Sequence, residues 1–166
     1  MNAAAPAHAW VGLGGNLGPV RETLTQALRQ LDALPDTRVL RHSAFYRTPP
    51  WGNTGQPAFL NAAAELRTGL APEALLQALL EIERAFGRDR AGEQRWGPRR
   101  LDLDLLVYGE RRIDRPGLSV PHPRMQARAF VLVPLAEIAP MLQVPGQGRV
   151  ADLLAAVDTR GIEAIP

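Results

Sequence analysis

The sequence LDLDL at residues 101–105 decides the fold that we predict for this chain of 166 residues. Successive side chains of a strand point to opposite faces, so the three leucines face a core while Asp102 and Asp104 share the other face. At about 3.3 Å of rise per residue, the two aspartates lie about 6.6 Å apart. The stretch therefore predicts a half-buried strand over Leu101–Tyr108 that carries an acidic pair on its outer face.

Three further strands and two helices are predicted upstream of this strand, from apolar runs bounded by turn residues and from leucines at helical spacing. The strands are expected over residues 9–14, 38–46 and 58–67, and the helices begin at Pro19 and Pro72. The order of elements is β-α-β-β-α-β. We therefore predict an α+β, ferredoxin-like fold in which an antiparallel sheet carries the two helices on one face.

The remainder of the chain, from Gly109 onward, is expected to form a C-terminal extension of the same domain. It contains a short hairpin pattern and helical patterns near residues 127–133 and 150–157. No repeat and no linker divides the chain, and its length is typical of one domain. We predict a single domain over residues 1–166, with its core at about residues 9–140.

The composition excludes several kinds of chemistry. The chain has no cysteine, which excludes disulfides, zinc–thiolate sites and thiol nucleophiles, and no lysine, which excludes a P-loop and a lysine Schiff base. No apolar run approaches the ~18–20 residues of a membrane helix, and the alanine-rich start lacks the basic leader of a signal peptide. We therefore expect a cytoplasmic protein without membrane contact.

The arginines are unevenly distributed, although the formal net charge is only +2. Six of the nineteen lie within residues 84–100, in a segment that leads directly into the acidic pair. Arginine binds phosphate in a bidentate manner, and Mg²⁺ is held by one or two carboxylates together with substrate phosphates. This combination is typical of phosphoryl transfer from a nucleotide, and it fits a small polyanion better than a long nucleic acid.

Each signal also has a structural interpretation. The acidic pair fits the exposed face of an ordinary strand, and the arginines fit a solvated loop. The GLGGNLG sequence at residues 12–18 lacks the last glycine of a dinucleotide-binding motif because Leu17 stands there, so a tight strand-to-helix turn is favoured. His122 lies between two prolines and is either structural or a hydrogen-bond donor to an anion.

Five sequence motifs, in a fixed order, connect the chain with a known family. They are GGNLG at 14–18, FYRTPP at 45–50, FLNAA at 59–63, RWGPRRLDLDLL at 95–106 and VPHPRM at 120–125. Together they resemble the 6-hydroxymethyl-7,8-dihydropterin pyrophosphokinases, which are enzymes of the folate pathway. The resemblance covers about residues 10–140, and its most specific part is the fourth motif.

The resemblance implies transfer of pyrophosphate from ATP to the hydroxymethyl oxygen of the reduced pterin, with release of AMP. It also implies two Mg²⁺ ions bound by Asp102 and Asp104, and small-molecule substrates acted on by a monomer. The residues implied to line the pterin pocket are Thr48, Trp51, Phe59, Asn61 and Phe130. Those implied to face ATP or its phosphates are Glu83, Arg88, Arg90, Arg95, Trp96, Arg99, His122 and Arg128. Arg88 and Arg99 are expected to act in catalysis itself.

The chain departs from the commoner family pattern at three places. Phe59 stands where a tyrosine is often found, which keeps the ring and loses the hydroxyl. Pro123 follows the histidine where an aromatic residue is common. The arginine segment is one residue longer, which affects the alignment of Arg88 and Arg90.

Two other functions are open on the residues alone. The same fold occurs in RNA-binding modules, although the aromatic signature of RNA recognition is absent here. A metal-dependent nuclease using the same aspartates would cleave nucleic acid without ATP, but it leaves the pterin-pocket motifs unexplained. Formation of AMP that depends on Mg²⁺ and on hydroxymethyl-dihydropterin separates the three.

Overall fold

The computed structural model of the chain describes residues 5–50, 55–87 and 99–166. Within these ranges there are ten strands and four helices, and a 3₁₀ turn at Met125–Ala127. The strands are β1 (Ala7–Gly15), β2 (Thr37–His42), β3 (Tyr46–Thr48), β4 (Phe59–Thr68), β5 (Asp102–Tyr108), β6 (Ile113–Arg115), β7 (Leu118–Val120), β8 (Gln143–Val144), β9 (Gly148–Arg149) and β10 (Glu163–Ala164). The helices are α1 (Val20–Asp32), α2 (Pro72–Ala85), α3 (Ala129–Ile138) and α4 (Val150–Ala155). None of the helices in these ranges combines the length and apolar character needed to cross a bilayer.

The central sheet is antiparallel throughout and has β1 and β4 at its centre. The strand order is β10-β3-β4-β1-β5, and β2 also pairs with β4. Helix α1 connects β1 to β2, and α2 connects β4 to β5. This is the predicted α+β, ferredoxin-like βαββαβ arrangement, and the fold prediction is confirmed.

Helices α1 and α2 cover one face of this sheet. Their apolar sides bury Leu24, Leu31, Leu75 and Leu79 completely, in a cluster that includes the leucines at positions 101, 103 and 105. Pro72 begins α2, as predicted, because proline fits the first helical position, where no intrahelical N–H bond is needed. The inward orientation of the β5 leucines is therefore confirmed.

The C-terminal extension packs on the opposite face of the sheet. Trp10, Ala63 and Leu106 of the sheet form a second buried cluster with Met125 of the 3₁₀ turn and Leu135 of α3. The predicted hairpin is present as β6 and β7, and the predicted last helix is present as α4. The extension therefore covers part of the face to which the acidic pair belongs.

A cluster of charged side chains lies on this second face, at the end of the sheet where β1 begins and β4 ends. Glu65 on β4 is 7% exposed. Its carboxylate oxygens lie 2.8 Å from His8 Nδ1 and 2.9 Å from Arg41 Nε. We call this region, formed by His8, Arg41 and Glu65, the closed end of the sheet.

Most elements match their predicted bounds to within two residues; α1, for example, begins at Val20 and not at Pro19, which lies just before it. Two elements differ by more. The strand predicted over residues 38–46 is divided into β2 and β3, because the hydroxyl of Ser43 accepts a hydrogen bond from the Ala63 N–H at 2.9 Å. A side chain thus replaces a backbone partner there. A helix is predicted near residues 127–133, whereas α3 spans Ala129–Ile138 and contains Pro134.

Candidate functional site

The acidic pair lies beside a part of the sheet that has no side chains. Asp102 and Asp104 pair with Gly14 and Gly12 of β1, and Gly14 pairs on its other side with Asn61 of β4. Cross-strand partners share a face, so the two glycines put main chain instead of side chains between the aspartates and Asn61. Gly12 is half-buried, and Gly14 is buried beneath the Asn61 amide. Neighbouring strands are about 4.8 Å apart, which puts Asp102 and Asn61 about 9.6 Å apart across this gap. We call Gly12 and Gly14 the glycine floor.

Asn61 is fixed above this floor by contacts on two sides. Its Nδ2 donates to the hydroxyl of Thr48 at 2.8 Å, and the residue is 9% exposed. A Cβ built on Gly14 would lie 2.4 Å from Asn61 Oδ1, so only glycine leaves room for the amide. The structure therefore brings together Thr48 and Asn61, two of the residues implied to bind the pterin.

The surroundings of Asp104 are positively charged. The backbone N–H of His122 donates to the Leu106 carbonyl at 2.8 Å, which holds His122 against β5. Burial lowers the pKa of His122; the charge of Asp104 opposes this shift, and the guanidinium groups of Arg128 and Arg124 add to it. His122 and Arg128 therefore both interact with the charge of Asp104, and Arg124 lies close enough to affect the pKa of each of them.

The hydrogen bonding of His122 fixes the position of its proton. The backbone N–H of Arg124 donates to His122 Nδ1 at 3.3 Å, so that nitrogen acts as an acceptor. A neutral imidazole then carries its hydrogen on Nε2. The lowered pKa favours this neutral form, whose Nε2 hydrogen can be donated to an anion beside Asp104.

The acidic pair fits magnesium in its donor atoms and in their number. Both aspartates are half-buried, with oxygen ligands of the hard type that Mg²⁺ prefers. In the described part of the chain no three His, Asp, Glu or Cys side chains come together as a metal cage. Magnesium usually takes one or two protein carboxylates and completes its shell with water and substrate phosphates, so two aspartates suffice.

A cavity of about 550 Å³ lies next to Thr48, Arg128 and Phe130. The Arg128 guanidinium carbon is 5.6 Å from the centroid of the Phe130 ring, which pairs a cation with an aromatic face. The described residues that line the cavity do not include Phe59 or Asn61. Phe59 is half-buried at the start of β4, where it pairs with Thr48.

The far wall of this cavity comes from the C-terminal extension. We call residues 156–162 the tail; its cavity-lining members are Ala156, Val157, Asp158, Arg160 and Ile162. The tail is held by pairing of β10 with β3 and by the Ile165 N–H, which donates to the Phe45 carbonyl at 2.9 Å. Gly161 has a φ of +83°, and a Cβ there would lie 2.9 Å from Pro49 Cγ. Sequence reasoning assigned the tail no role.

Asp158 and Arg160 form an ion pair on this wall. Arg160 donates hydrogen bonds from Nε and Nη2 to the Asp158 carboxylate, the shortest at 2.7 Å. These bonds lower the pKa of Asp158 to about 2. The pair gives the tail a local structure although both residues are exposed.

Glu83 occupies a different environment from the one expected. It is 1% exposed, and its carboxylate accepts a hydrogen bond from the Leu103 N–H at 2.7 Å. Because β5 is an edge strand, this N–H has no strand partner on that side. Glu83 therefore supports the strand between the two aspartates, and its contact with ATP stays a prediction.

Arg99 lies beside the end of β1. Its carbonyl accepts hydrogen bonds from the backbone N–H groups of Asn16 and Leu17, at 2.8 and 3.0 Å. Five other predicted site residues lie outside the described residues: Trp51, Arg88, Arg90, Arg95 and Trp96.

The glycine floor and the tail are what sequence reasoning missed. One signal was available for the first: glycine is depleted inside strands, and two glycines at alternate positions of a buried strand indicate a close approach of other groups. The tail carries no such signal, because its place depends on a pairing between β3 and β10.

Comparison with known proteins places the chain in a family. Residues 10–140 match the sequence profile of 7,8-dihydro-6-hydroxymethylpterin-pyrophosphokinase (HPPK). The chain is 49% identical over 157 residues to the 2-amino-4-hydroxy-6-hydroxymethyldihydropteridine pyrophosphokinase of Pseudomonas aeruginosa, covering 95% of this chain and 96% of that protein. Proteins of the same name from Methylorubrum extorquens and Bacillus subtilis are 48% and 43% identical, over 95% and 81% of this chain and 98% and 80% of theirs.

Solved structures agree in fold. A crystal structure of an HPPK-DHPS in complex with substrates superposes with a TM-score of 0.71 at 13% identity, over 91% of this chain and 43% of that chain. The Plasmodium falciparum wild-type HPPK-DHPS with pteroate gives a TM-score of 0.71 at 12% identity, over 90% and 44%. This chain therefore spans less than half of those longer chains, and the likeness concerns the fold.

Proposed function

Because the chain belongs to the 7,8-dihydro-6-hydroxymethylpterin-pyrophosphokinase family, we propose that it transfers a pyrophosphoryl group from ATP to the hydroxymethyl oxygen of 6-hydroxymethyl-7,8-dihydropterin. AMP is the second product, and the reaction is a step of folate biosynthesis. The observation that carries this proposal is the glycine floor, with an acidic pair on one side and a buried amide on the other. The two groups thus stand on the same face of the sheet, on strands that flank β1.

The pterin is assigned to the side of Asn61. A pterin is flat, and its edge alternates hydrogen-bond donors and acceptors, so its recognition needs an amide for the edge and rings for the faces. Asn61 supplies the amide, held by its bond to Thr48 at 2.8 Å. Phe130, on the cavity wall, and Phe59, at the start of β4, supply the rings. Trp51 keeps its predicted place in this pocket as part of the proposal.

The nucleotide is assigned to the side of the acidic pair. Asp102 and Asp104 would hold Mg²⁺, two ions by family resemblance, and the metal would neutralise charge on the phosphates when bound. His122 would donate from Nε2, Arg128 brings positive charge to Asp104, and Arg99 stands three residues before Asp102 with its backbone held by Asn16. Positioning and charge stabilisation are the main demands of phosphoryl transfer, and these residues meet them. Glu83, Arg88, Arg90, Arg95 and Trp96 are further proposed contacts on this side.

The bond changes are simple. The hydroxymethyl oxygen bonds to the β-phosphorus of ATP, and the bond between that phosphorus and the oxygen bridging to the α-phosphate breaks. The bridging oxygen leaves with AMP, and the hydroxyl proton passes to solvent. The protein aligns the oxygen and the phosphorus, since alignment of two reactants can account for ~7–11 kcal/mol of a barrier.

The test is the formation of AMP from ATP, measured by separation of nucleotides. We expect AMP only when hydroxymethyl-dihydropterin and Mg²⁺ are both present, with the pterin recovered as its diphosphate. ADP as the product, or AMP without the pterin, would refute pyrophosphoryl transfer. Single-stranded RNA in the same buffer tests the two alternatives: neither binding that weakens with salt nor cleavage is expected. Size-exclusion chromatography tests the proposed monomer.

A further inference from the structure

Asn16 follows β1 directly, at the edge of the glycine floor, and is 5% exposed. Its Nδ2 donates to Gln56 Oε1 at 2.9 Å and to the Pro57 carbonyl oxygen at 3.0 Å. Its Oδ1 accepts a hydrogen bond from the Arg99 N–H at 2.8 Å. Both the amide nitrogen and the carbonyl oxygen of one side chain are thus bonded, each to a different segment of the chain.

The backbone at this turn strengthens the link to Arg99. The N–H groups of Asn16 and Leu17 both donate to the Arg99 carbonyl, at 2.8 and 3.0 Å. A Cβ built on Gly15 would lie 2.5 Å from the Arg100 carbonyl oxygen, so glycine allows the two segments to touch. Three hydrogen bonds therefore fix the backbone of Arg99 against the end of β1.

The two segments joined by Asn16 lead into the two halves of the proposed site. Gln56 and Pro57 precede β4, which carries Asn61 on the pterin side. Arg99 precedes β5, which carries Asp102 on the nucleotide side. Asn16 lies between these halves in space, although its partner Arg99 is 83 positions away in sequence.

We propose that Asn16 is a positioning residue, whose amide holds the pterin half and the nucleotide half of the site in the relation that transfer requires. This inference rests on the proposed function. Asn16 acts through Gln56, Pro57 and Arg99. A displacement of about 1 Å between reacting groups can lower a rate by ~10²-fold even when binding is unaffected. A buried amide with partners on both segments is suited to prevent such a displacement.

Two substitutions distinguish the hydrogen bonds that Asn16 Nδ2 donates from the one that its Oδ1 accepts. Asn16→Asp keeps the acceptor for the Arg99 N–H, but it removes the donor and sets a carboxylate against the oxygens of Gln56 and Pro57. Asn16→Ala removes both the donor and the acceptor. The control is Glu65→Gln at the closed end, which alters a buried polar side chain of the same sheet that has no partner on either segment.

The first measurement is amide hydrogen exchange in the free protein, which does not depend on activity. We expect the Arg99 amide to exchange about tenfold faster or more in Asn16→Ala, and at nearly the wild-type rate in Asn16→Asp and Glu65→Gln. Unchanged exchange in Asn16→Ala would overturn the inference, because the amide would then not hold that segment.

The second measurement is two-substrate kinetics at a temperature where all variants are folded. We expect kcat to fall by about 10²-fold in Asn16→Ala and to fall also in Asn16→Asp, with each KM within about threefold of wild type. Glu65→Gln should keep kcat within about twofold. A rise in KM at unchanged kcat, or an equal loss in Glu65→Gln, would overturn the positioning role. A wild-type chain that forms no AMP would instead refute the proposed function, and the exchange experiment would still decide whether Asn16 joins the segments.

Discussion

The two ends of the same sheet face use buried polar side chains in different ways. At the closed end, Glu65 finds His8 on β1 and Arg41 on β2, so its partners belong to the sheet itself. At the other end, Asn16 finds Gln56 and Arg99, which belong to the segments before β4 and β5. We call this second region, from the glycine floor to Asn16, the open end.

This difference predicts that the closed end contributes to stability and the open end to activity. A buried polar group costs free energy unless its hydrogen bonds are made, and both ends meet that condition. Partners within the sheet restrain only strands that the core already restrains. Partners on connecting segments restrain the parts of the chain that carry binding groups. We therefore expect changes at the closed end to reduce stability, and changes at the open end to reduce activity.

The largest expected effect comes from Asp104→Ala at the open end. Turnover should fall by about 10³-fold or more, because a metal ion supplies several kcal/mol to such a reaction and this carboxylate would hold it. The melting temperature should hardly change, since the side chain lies outside both apolar clusters. AMP formation at saturating Mg²⁺ is the measurement, with Asp114→Ala on the β6–β7 hairpin as control. Near-normal turnover in Asp104→Ala would show that this carboxylate does not hold a catalytic metal ion.

Asn61→Ala should weaken pterin binding by ~1–3 kcal/mol, the free energy of a polar group left without its partner. ATP binding should be unchanged, because the amide lies across the glycine floor from the acidic pair. Titration calorimetry with each ligand measures both. Thr48→Val keeps the Asn61 amide and removes only the hydroxyl that accepts its hydrogen bond at 2.8 Å, so the loss of pterin affinity should be smaller. Equal losses for pterin and ATP would show a general disturbance instead.

Glu65→Ala tests the closed end, where the effect should appear as stability. Loss of the contacts to His8 and Arg41 should cost ~1–3 kcal/mol of unfolding free energy, or ~2–4 °C in melting temperature for each kcal/mol. The ratio kcat/KM of the folded enzyme should stay as in wild type. Thermal unfolding and kinetics at low temperature measure the two quantities. A loss of kcat/KM at full folding would contradict the division between the two ends.

The smallest effect is expected from Gly161→Ala in the tail. At a φ of +83° an alanine costs ~1–2 kcal/mol, and its methyl group would also press on Pro49. Gly117→Ala is the matched control, with a φ of +81° and no atom within 4 Å of the added Cβ. Both should lose stability, Gly161→Ala more than the control because of the contact with Pro49, but only Gly161→Ala should weaken pterin binding, by a few-fold. If Gly161→Ala and Gly117→Ala bound the pterin with equal affinity, the tail would not be part of the pterin pocket.

Sequence reasoning reached the features that depend on neighbours in the chain. The alternation of leucine and aspartate sets the two faces of β5 whatever the rest of the chain does. Pro72 likewise marks the start of α2 by a local restriction. The family motifs added a set of site residues, of which Thr48 and Asn61 prove to be hydrogen-bonded to each other.

The remaining features depend on partners far away in sequence. The Ser43 hydroxyl interrupts a strand only because Ala63 lies opposite it. The buried position of Glu83 depends on the edge of β5, whose Leu103 N–H donates to its carboxylate. The tail and the role of Asn16 require β10 and Arg99 to be placed in space first. No local pattern encodes these contacts.

The glycine floor has a consequence for the design and durability of inhibitors. A compound that reaches the half-buried Gly12 touches main-chain atoms, which no single substitution can remove, and the neighbouring Gly14 is buried beneath the Asn61 amide. A larger residue at position 14 would displace the amide of Asn61, since a Cβ there lies 2.4 Å from its oxygen. A variant that escapes the compound at this position would therefore also lose the group proposed to recognise the natural substrate. Resistance through a substitution at Gly14 should therefore carry a loss of fitness.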